Sequence, residues 1–172
     1  MISPDHVHLM ARYNAWQNRS LISAAEGLDD AERRLDRGAF FGSIFGTLNH
    51  VAWGDTVWMH RFTGRPKPPL PNRLSATLFP DWSTYLAARQ ALDAEILDWA
   101  GHVGADWLAG TQSWMSGAAG REVSRPNWAL VAHFFNHQTH HRGQVHAMLT
   151  AAGARPDDTD LFFVDPSGKG PA

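Results

Sequence analysis

The chain has 172 residues, of which 44% are hydrophobic and 19% charged, values of a single soluble globular domain that exclude disordered and collagen-like classes. A formal charge of -2 leaves no broad basic field for nucleic acid or an anionic membrane, and no apolar run nears the ~20 residues that span a bilayer. The absence of cysteine excludes disulfides, a thiolate nucleophile and cysteine-ligated zinc, so any metal must be held by nitrogen or oxygen, and the ten histidines become the main resource.

Ser3-Pro4 reads as an N-cap with proline at the first helical position, and Val7, Met10, Ala11, Trp16, Leu21 and Ile22 predict a first helix ending near Gly27. A second helix is expected from about Ser43 to Phe62, with Ile44, Leu48, Val51, Trp58 and Met59 in one arc and Gly64 and Pro66 as the stop. Prolines 66, 68, 69, 71 and 80 make the stretch 65–80 a stiff crossover loop. Asp81 caps a third helix ending near Gly101 or Gly104. Residues 105–123 keep no sustained period, which leaves a short hairpin or an irregular excursion open. A fourth helix is predicted over Asn127–Ala152, with Ser124 or Asn127 as cap and Gly153 as stop. In the tail, the apolar patch Leu161–Val164 is expected to dock on the helices and the glycine- and proline-rich end to be mobile. Four long helices with one long connection imply an all-α, antiparallel four-helix bundle with a crossover, formed by a single domain over 1–172 whose tail, 157–172, is partly extended. The N-terminus lacks a basic segment followed by an apolar one, so the expected location is cytoplasmic.

Within the predicted fourth helix, His137 and His141 are i and i+4 and so share a face. At about 100° per residue that face also carries Leu130, Phe134, Val145 and Met148, so the pair points inward. An unpaired polar group in an apolar site costs roughly 1–3 kcal/mol, and a shared metal ion removes that cost. A third ligand must come from elsewhere. His50 leads because it lies inside the second helix, although periodicity alone does not choose it over His60. His133, one turn before His137, reads as a core-edge or competing residue. His6, His8, His102, His140 and His146 read as solvated.

The run Leu130-Val-Ala-His133-Phe-Phe-Asn136-His137-Gln-Thr-His140-His141-Arg142-Gly143-Gln144 resembles the last-helix signature of the DinB/YfiT-like family of metalloenzymes. Ser43-Ile-Phe-Gly-Thr-Leu-Asn-His50 is similar to that family's second-helix segment. The resemblance implies an up-down-down-up four-helix bundle, often a homodimer, holding zinc, nickel or a related ion through His50, His137 and His141. Arg142 and Gly143 belong to the same motif. Gly143 is expected to allow close helix approach, and Arg142 to anchor the tail or a partner helix through a carboxylate such as Asp157, Asp158 or Asp160. The middle of the chain departs from the family pattern in its many tryptophans, among them Trp53, Trp58, Trp107 and Trp114.

Relatives of the resembled family include transferases that use low-molecular-weight thiols. By resemblance the leading expectation is a metal-dependent thiol S-transferase acting on a small molecule. A metal-dependent hydrolase ranks below it, because no carboxylate flanks His137 or His141 and Asp55 points about 140° away from His50 on the helical wheel. A non-catalytic metal-binding stress or interaction protein is the third reading. No Glu-x-x-His, His-Glu-x-x-His, Gly-x-Ser-x-Gly or P-loop motif offers a different chemistry.

Overall fold

The side chain of Ser3 accepts from the His6 N–H at 3.2 Å and Pro4 takes the first helical position, so α1 (Pro4–Glu26) starts where short-range chemistry puts it. A computed structural model describes residues 1–117 and 119–165. The tail end expected to be mobile therefore lies almost wholly outside the described residues. After α1 comes a short helix that periodicity did not predict, α2 (Asp30–Arg34), capped by Asp29. Ser43 caps α3 (Ile44–Thr63) by accepting from the Gly46 N–H at 3.0 Å, and α3 stops at Gly64, whose φ of +79° suits glycine. Asp81 caps α4 (Trp82–His102), with the Thr84 N–H at 2.8 Å. After α5 (Ala105–Ala109), the ambiguous stretch forms a hairpin: β1 (Thr111–Ser116) pairs antiparallel with β2 (Arg121–Pro126), Trp114 opposite Val123. The last long helix is α6 (Asn127–Ala151).

Two details depart from expectation. Neither Ser124 nor Asn127 caps α6. Ser124 is a strand residue, and the Asn127 side chain donates to the Trp107 carbonyl at 2.8 Å while its backbone N–H donates to Gly110 at 2.9 Å. The hairpin delivers the chain directly into the helix, and Asn127 fastens α5 instead. The crossover is also less irregular than its prolines suggest, because Asn72–Thr77 forms a 3-10 turn strapped across α3. Trp53 donates to the Leu70 carbonyl at 2.7 Å and Asn49 accepts from the Phe79 N–H at 2.6 Å.

The four long helices pack as a bundle in which α1 lies against α4 and α6, and α3 against the same two. Two apolar clusters fill it. The first holds Val7, Ala11, Met59, Ile96, Val131 and Phe134; the second holds Leu21, Ile44, Leu48, Tyr85, Val145 and Leu149. Helices α1 and α6 pass from the first cluster to the second, whereas α3 and α4 pass from the second to the first. Midway, every long helix contributes a polar residue. Arg89 donates to Asp55 at 2.6 Å and to Asp93 at 2.7 Å; Asn18 donates to Asp93 at 2.8 Å, and Gln138 to Asp55 at 2.9 Å. Burial alone would push the Arg89 pKa down, but the two aspartates outweigh it and hold the pKa above the ordinary range.

The tail is tied to α1 rather than to Arg142. Tyr13 donates to the Thr159 carbonyl at 2.7 Å, Gln17 to the Asp158 carbonyl at 2.9 Å, and Ser20 accepts from the Asp157 N–H at 2.7 Å. Of the expected apolar patch only Val164 is buried, against Tyr13 and Trp16, while Phe162 is exposed. Among the described residues no helix is long and apolar enough to cross a membrane.

Candidate metal centre

His50 lies two turns into α3, on a stretch buried almost throughout because helices, the 3-10 turn and the segment before α3 all cover it. Its ring lies near parallel to Phe41, with centroids 3.8 Å apart and planes 19° apart, and stands 6.0 Å from Trp53 at the same tilt. Its Nδ1 meets the buried Ser75 hydroxyl at 2.8 Å. That contact fixes the ring's orientation and turns Nε2 toward α6, where it lies 3.2 Å from Nε2 of His137.

His137 and His141 stack along α6 with ring centroids 4.5 Å apart, and His50 is 5.2 and 4.7 Å from them. His141 donates from Nδ1 to the Gln144 side-chain oxygen at 2.8 Å, one turn on, which leaves its Nε2 as a lone pair. One nitrogen from each of the three rings lies within 4.8 Å of the others. His60, which periodicity left level with His50, sits elsewhere and donates to the Arg65 carbonyl. His133 stands at the edge, 6.0 Å from His137 and edge-on to Trp58.

Close approach of α3 and α6 depends on a glycine, but not on Gly143, which is exposed with open space around its Cα. The residue concerned is Gly54. A Cβ there would lie 2.8 Å from Cε1 of His137, closer than real Cβ contacts come. A helix-interior glycine costs roughly 0.5–1 kcal/mol relative to alanine, and here that cost leaves room for the imidazole. The spacing could have flagged it, since Gly54 is i+4 from His50. Ser75 had no such signal, being a loop serine 25 residues from the histidine it holds.

Electrostatically, the cluster is set to remain neutral. His50 is pushed down to about 3 and His137 to about 4, in each case by burial first and then by neighbouring imidazoles. His141 is lowered too, by burial first, against the Gln144 hydrogen bond that raises it. All three rings therefore present uncharged nitrogen at neutral pH, the form a metal accepts. The donor set fits a divalent ion. Two nitrogens each about 2.0–2.1 Å from a tetrahedral centre lie roughly 3.3 Å apart, close to the 3.2 Å between His50 and His137. His137 Nδ1 is buried without a hydrogen-bond partner among the described residues, an unfinished feature of the cluster.

Comparison with known families matches residues 3–168. The chain belongs to the DinB family. No match is found among curated proteins or solved structures. His50, His137 and His141 of this DinB protein form the group able to hold a metal among the described residues.

Two clefts meet at that group. One, of about 840 Å³, is walled by Trp53, Val57, Trp58, Trp114 and His133. The other, of about 1020 Å³, is walled by Phe40, Phe41, Ala76, His140 and Gln144. His50, His137, Asn72 and Arg73 line both. Neither cleft is lined by a carboxylate. Asp55, buried and engaged by Arg89 and Gln138, faces the bundle interior instead. Arg142, expected to reach a carboxylate of the tail or of a partner helix, does anchor to a partner helix, α1, but through the amide of Asn14, and lies over the Tyr13 ring; burial lowers it to about 10.

Proposed function

We propose that this DinB protein is a metal-dependent enzyme that holds one divalent ion, zinc or nickel, through His50, His137 and His141. Its substrate is a small molecule, and its co-substrate a low-molecular-weight thiol that it transfers. The observation that carries the reading is the convergence of three neutral imidazole nitrogens within 4.8 Å, at the seam of two clefts. A purely structural site is closed by a fourth protein ligand, whereas a catalytic one keeps a position for substrate. Three histidines beside open clefts fit the second kind. Three imidazoles also suit zinc and nickel equally, since neither thiolate nor carboxylate donors bias the choice.

A divalent ion held there supplies Lewis acidity, lowering the pKa of a thiol or water that reaches it. The protein supplies the rest. Ser75 and Gln144 orient His50 and His141, and Phe41 packs on one imidazole. Hydrolysis ranks second because neither cleft offers a carboxylate as proton acceptor; His133 and His140 are the titratable neighbours available. A cytoplasmic homodimer completes the reading.

The test is elemental mass spectrometry on untagged protein purified without added metal, alongside His50→Ala, His137→Ala and His141→Ala. Near one equivalent in the parent, lost in each variant, is expected. Thiol conjugation to an electrophile should then require the metal and stop on chelation. A folded parent that takes up neither zinc nor nickel would end the metal reading. Full metal occupancy with hydrolytic but no thiol turnover would favour the hydrolase.

A further inference from the structure

The cleft on the tryptophan side reverses the charge of the chain around it. The protein carries -2 overall, yet this cleft is lined by Arg61, Lys67 and Arg73 and by no aspartate or glutamate. Lys67 is one of only two lysines in the sequence. Elsewhere the partly or fully buried arginines find acceptors: Arg65 meets Glu95 at 3.0 Å, Arg89 meets two aspartates, and Arg142 meets Asn14.

Arg61 is different. Its guanidinium carbon lies 4.3 Å from the Trp58 ring centre and 4.9 Å from that of Trp114, and the two indoles meet edge to face at 6.0 Å. Cation–π attraction holds the group in place from two sides. The hairpin is fastened there as well, because Gln112 donates to the Arg61 backbone carbonyl. Yet among the described residues no hydrogen bond or ion pair engages the Arg61 guanidinium, although burial lowers its pKa. Five N–H donors in a planar fork are thus held still, half out of water and facing a cleft. The chemistry that completes such a group is a planar oxyanion accepting two parallel hydrogen bonds, and a carboxylate does so.

The line of rings from this cation to the metal-binding group is short. Arg61 lies over Trp58, whose ring is 5.0 Å from His133, which is in turn 6.0 Å from His137. We propose that this cleft takes a small-molecule substrate bearing a carboxylate on a flat apolar body, the carboxylate paired with Arg61 and the body laid against Trp58 and Trp114. Lys67 and Arg73 add long-range attraction for the same charge. That the other end of the substrate meets the ion rests on the function proposed above; the pairing with Arg61 does not need the ion.

The experiment is calorimetric titration of chelator-treated, metal-free protein with trans-cinnamate and with its neutral isostere cinnamamide. Cinnamate should bind at least about tenfold more tightly, as expected of a hydrogen bond to a charged group. Arg61→Met should abolish that preference and Arg61→Lys should keep part of it, with circular dichroism and metal content unchanged in both. Equal binding of acid and amide, no binding of either, or a preference indifferent to Arg61→Met would overturn the inference. A preference present only in metal-loaded protein would overturn it too, by assigning the carboxylate to the ion. If the preference persists in a protein that binds no metal, the inference stands and the metalloenzyme reading fails.

Discussion

Asp55 and Gln138 sit one residue along from Gly54 and His137, on the same two helices, yet the two neighbourhoods treat polarity in opposite ways. In the first, every long helix contributes, the charges of Arg89, Asp55 and Asp93 are answered within the chain, and hydrogen bonds of 2.6–2.9 Å link them. In the second, three imidazoles converge with no carboxylate among them. A step of one residue turns a helical side chain by about 100°, enough to separate an ion-paired network from a cluster of neutral rings. The difference shows which polar residues hold the bundle together and which are left for something else.

The sharpest way to break that comparison is to disable the ion-paired network alone. Arg89→Met leaves Asp55 and Asp93 buried without their cation, and the unfolding free energy should fall by about 3–5 kcal/mol, read by urea denaturation. Metal equivalents per folded molecule should stay at the parent value; loss of metal together with stability would mean that the two regions are one unit.

Gly54→Ala probes the boundary between them. A Cβ 2.8 Å from the His137 ring adds an overpacking cost of about 1–3 kcal/mol, partly offset by the roughly 0.5–1 kcal/mol that alanine regains in a helix. Stability should therefore fall by no more than about 2.5 kcal/mol, while zinc affinity, measured by competition with a chromophoric chelator, falls roughly ten- to a hundredfold as the ring is displaced. Unchanged affinity would show that the ring has freedom to give way.

The smallest effects are expected from the groups that aim the rings. Ser75→Ala and Gln144→Ala should each lower zinc affinity about tenfold and leave metal-free stability within about 1 kcal/mol of the parent. An effect on stability larger than that on affinity would place these residues with the ion-paired network.

What could be read from the sequence was local. Ser3 and Asp81 cap their helices as their positions suggested, because capping is decided within four residues. His137 and His141 shared a face by spacing alone. His50 could not be separated from His60 by periodicity, since the choice depends on which turn of α3 meets α6; only the resemblance to a family singled it out. Gly143, and the acceptor of Arg142, were misread for a related reason. A motif says that residues matter together, but not that Arg142 finds an amide on α1 instead of a tail carboxylate, or that the bare backbone lies on the facing helix at Gly54. Asn127 looked like a cap until the hairpin's register made one unnecessary. Ser75 and Arg61 take their roles from tertiary contacts, the 3-10 strap and the tryptophan pair, that no window of sequence contains.

The mid-bundle polar layer also acts as a ruler for the fold. A long helix slipped by one turn, about 5.4 Å, would carry Asp55, Arg89 or Gln138 out of the layer and into one of the apolar clusters that bracket it. The slipped arrangement would keep most of its greasy contacts but strand a charge, at a penalty of several kcal/mol. Decoy bundles that hydrophobic pattern alone would tolerate are thereby excluded. The alignment of His50 on α3 with His137 and His141 on α6, which must hold to a fraction of an ångström, is inherited from a register set by residues that never touch the histidine nitrogens.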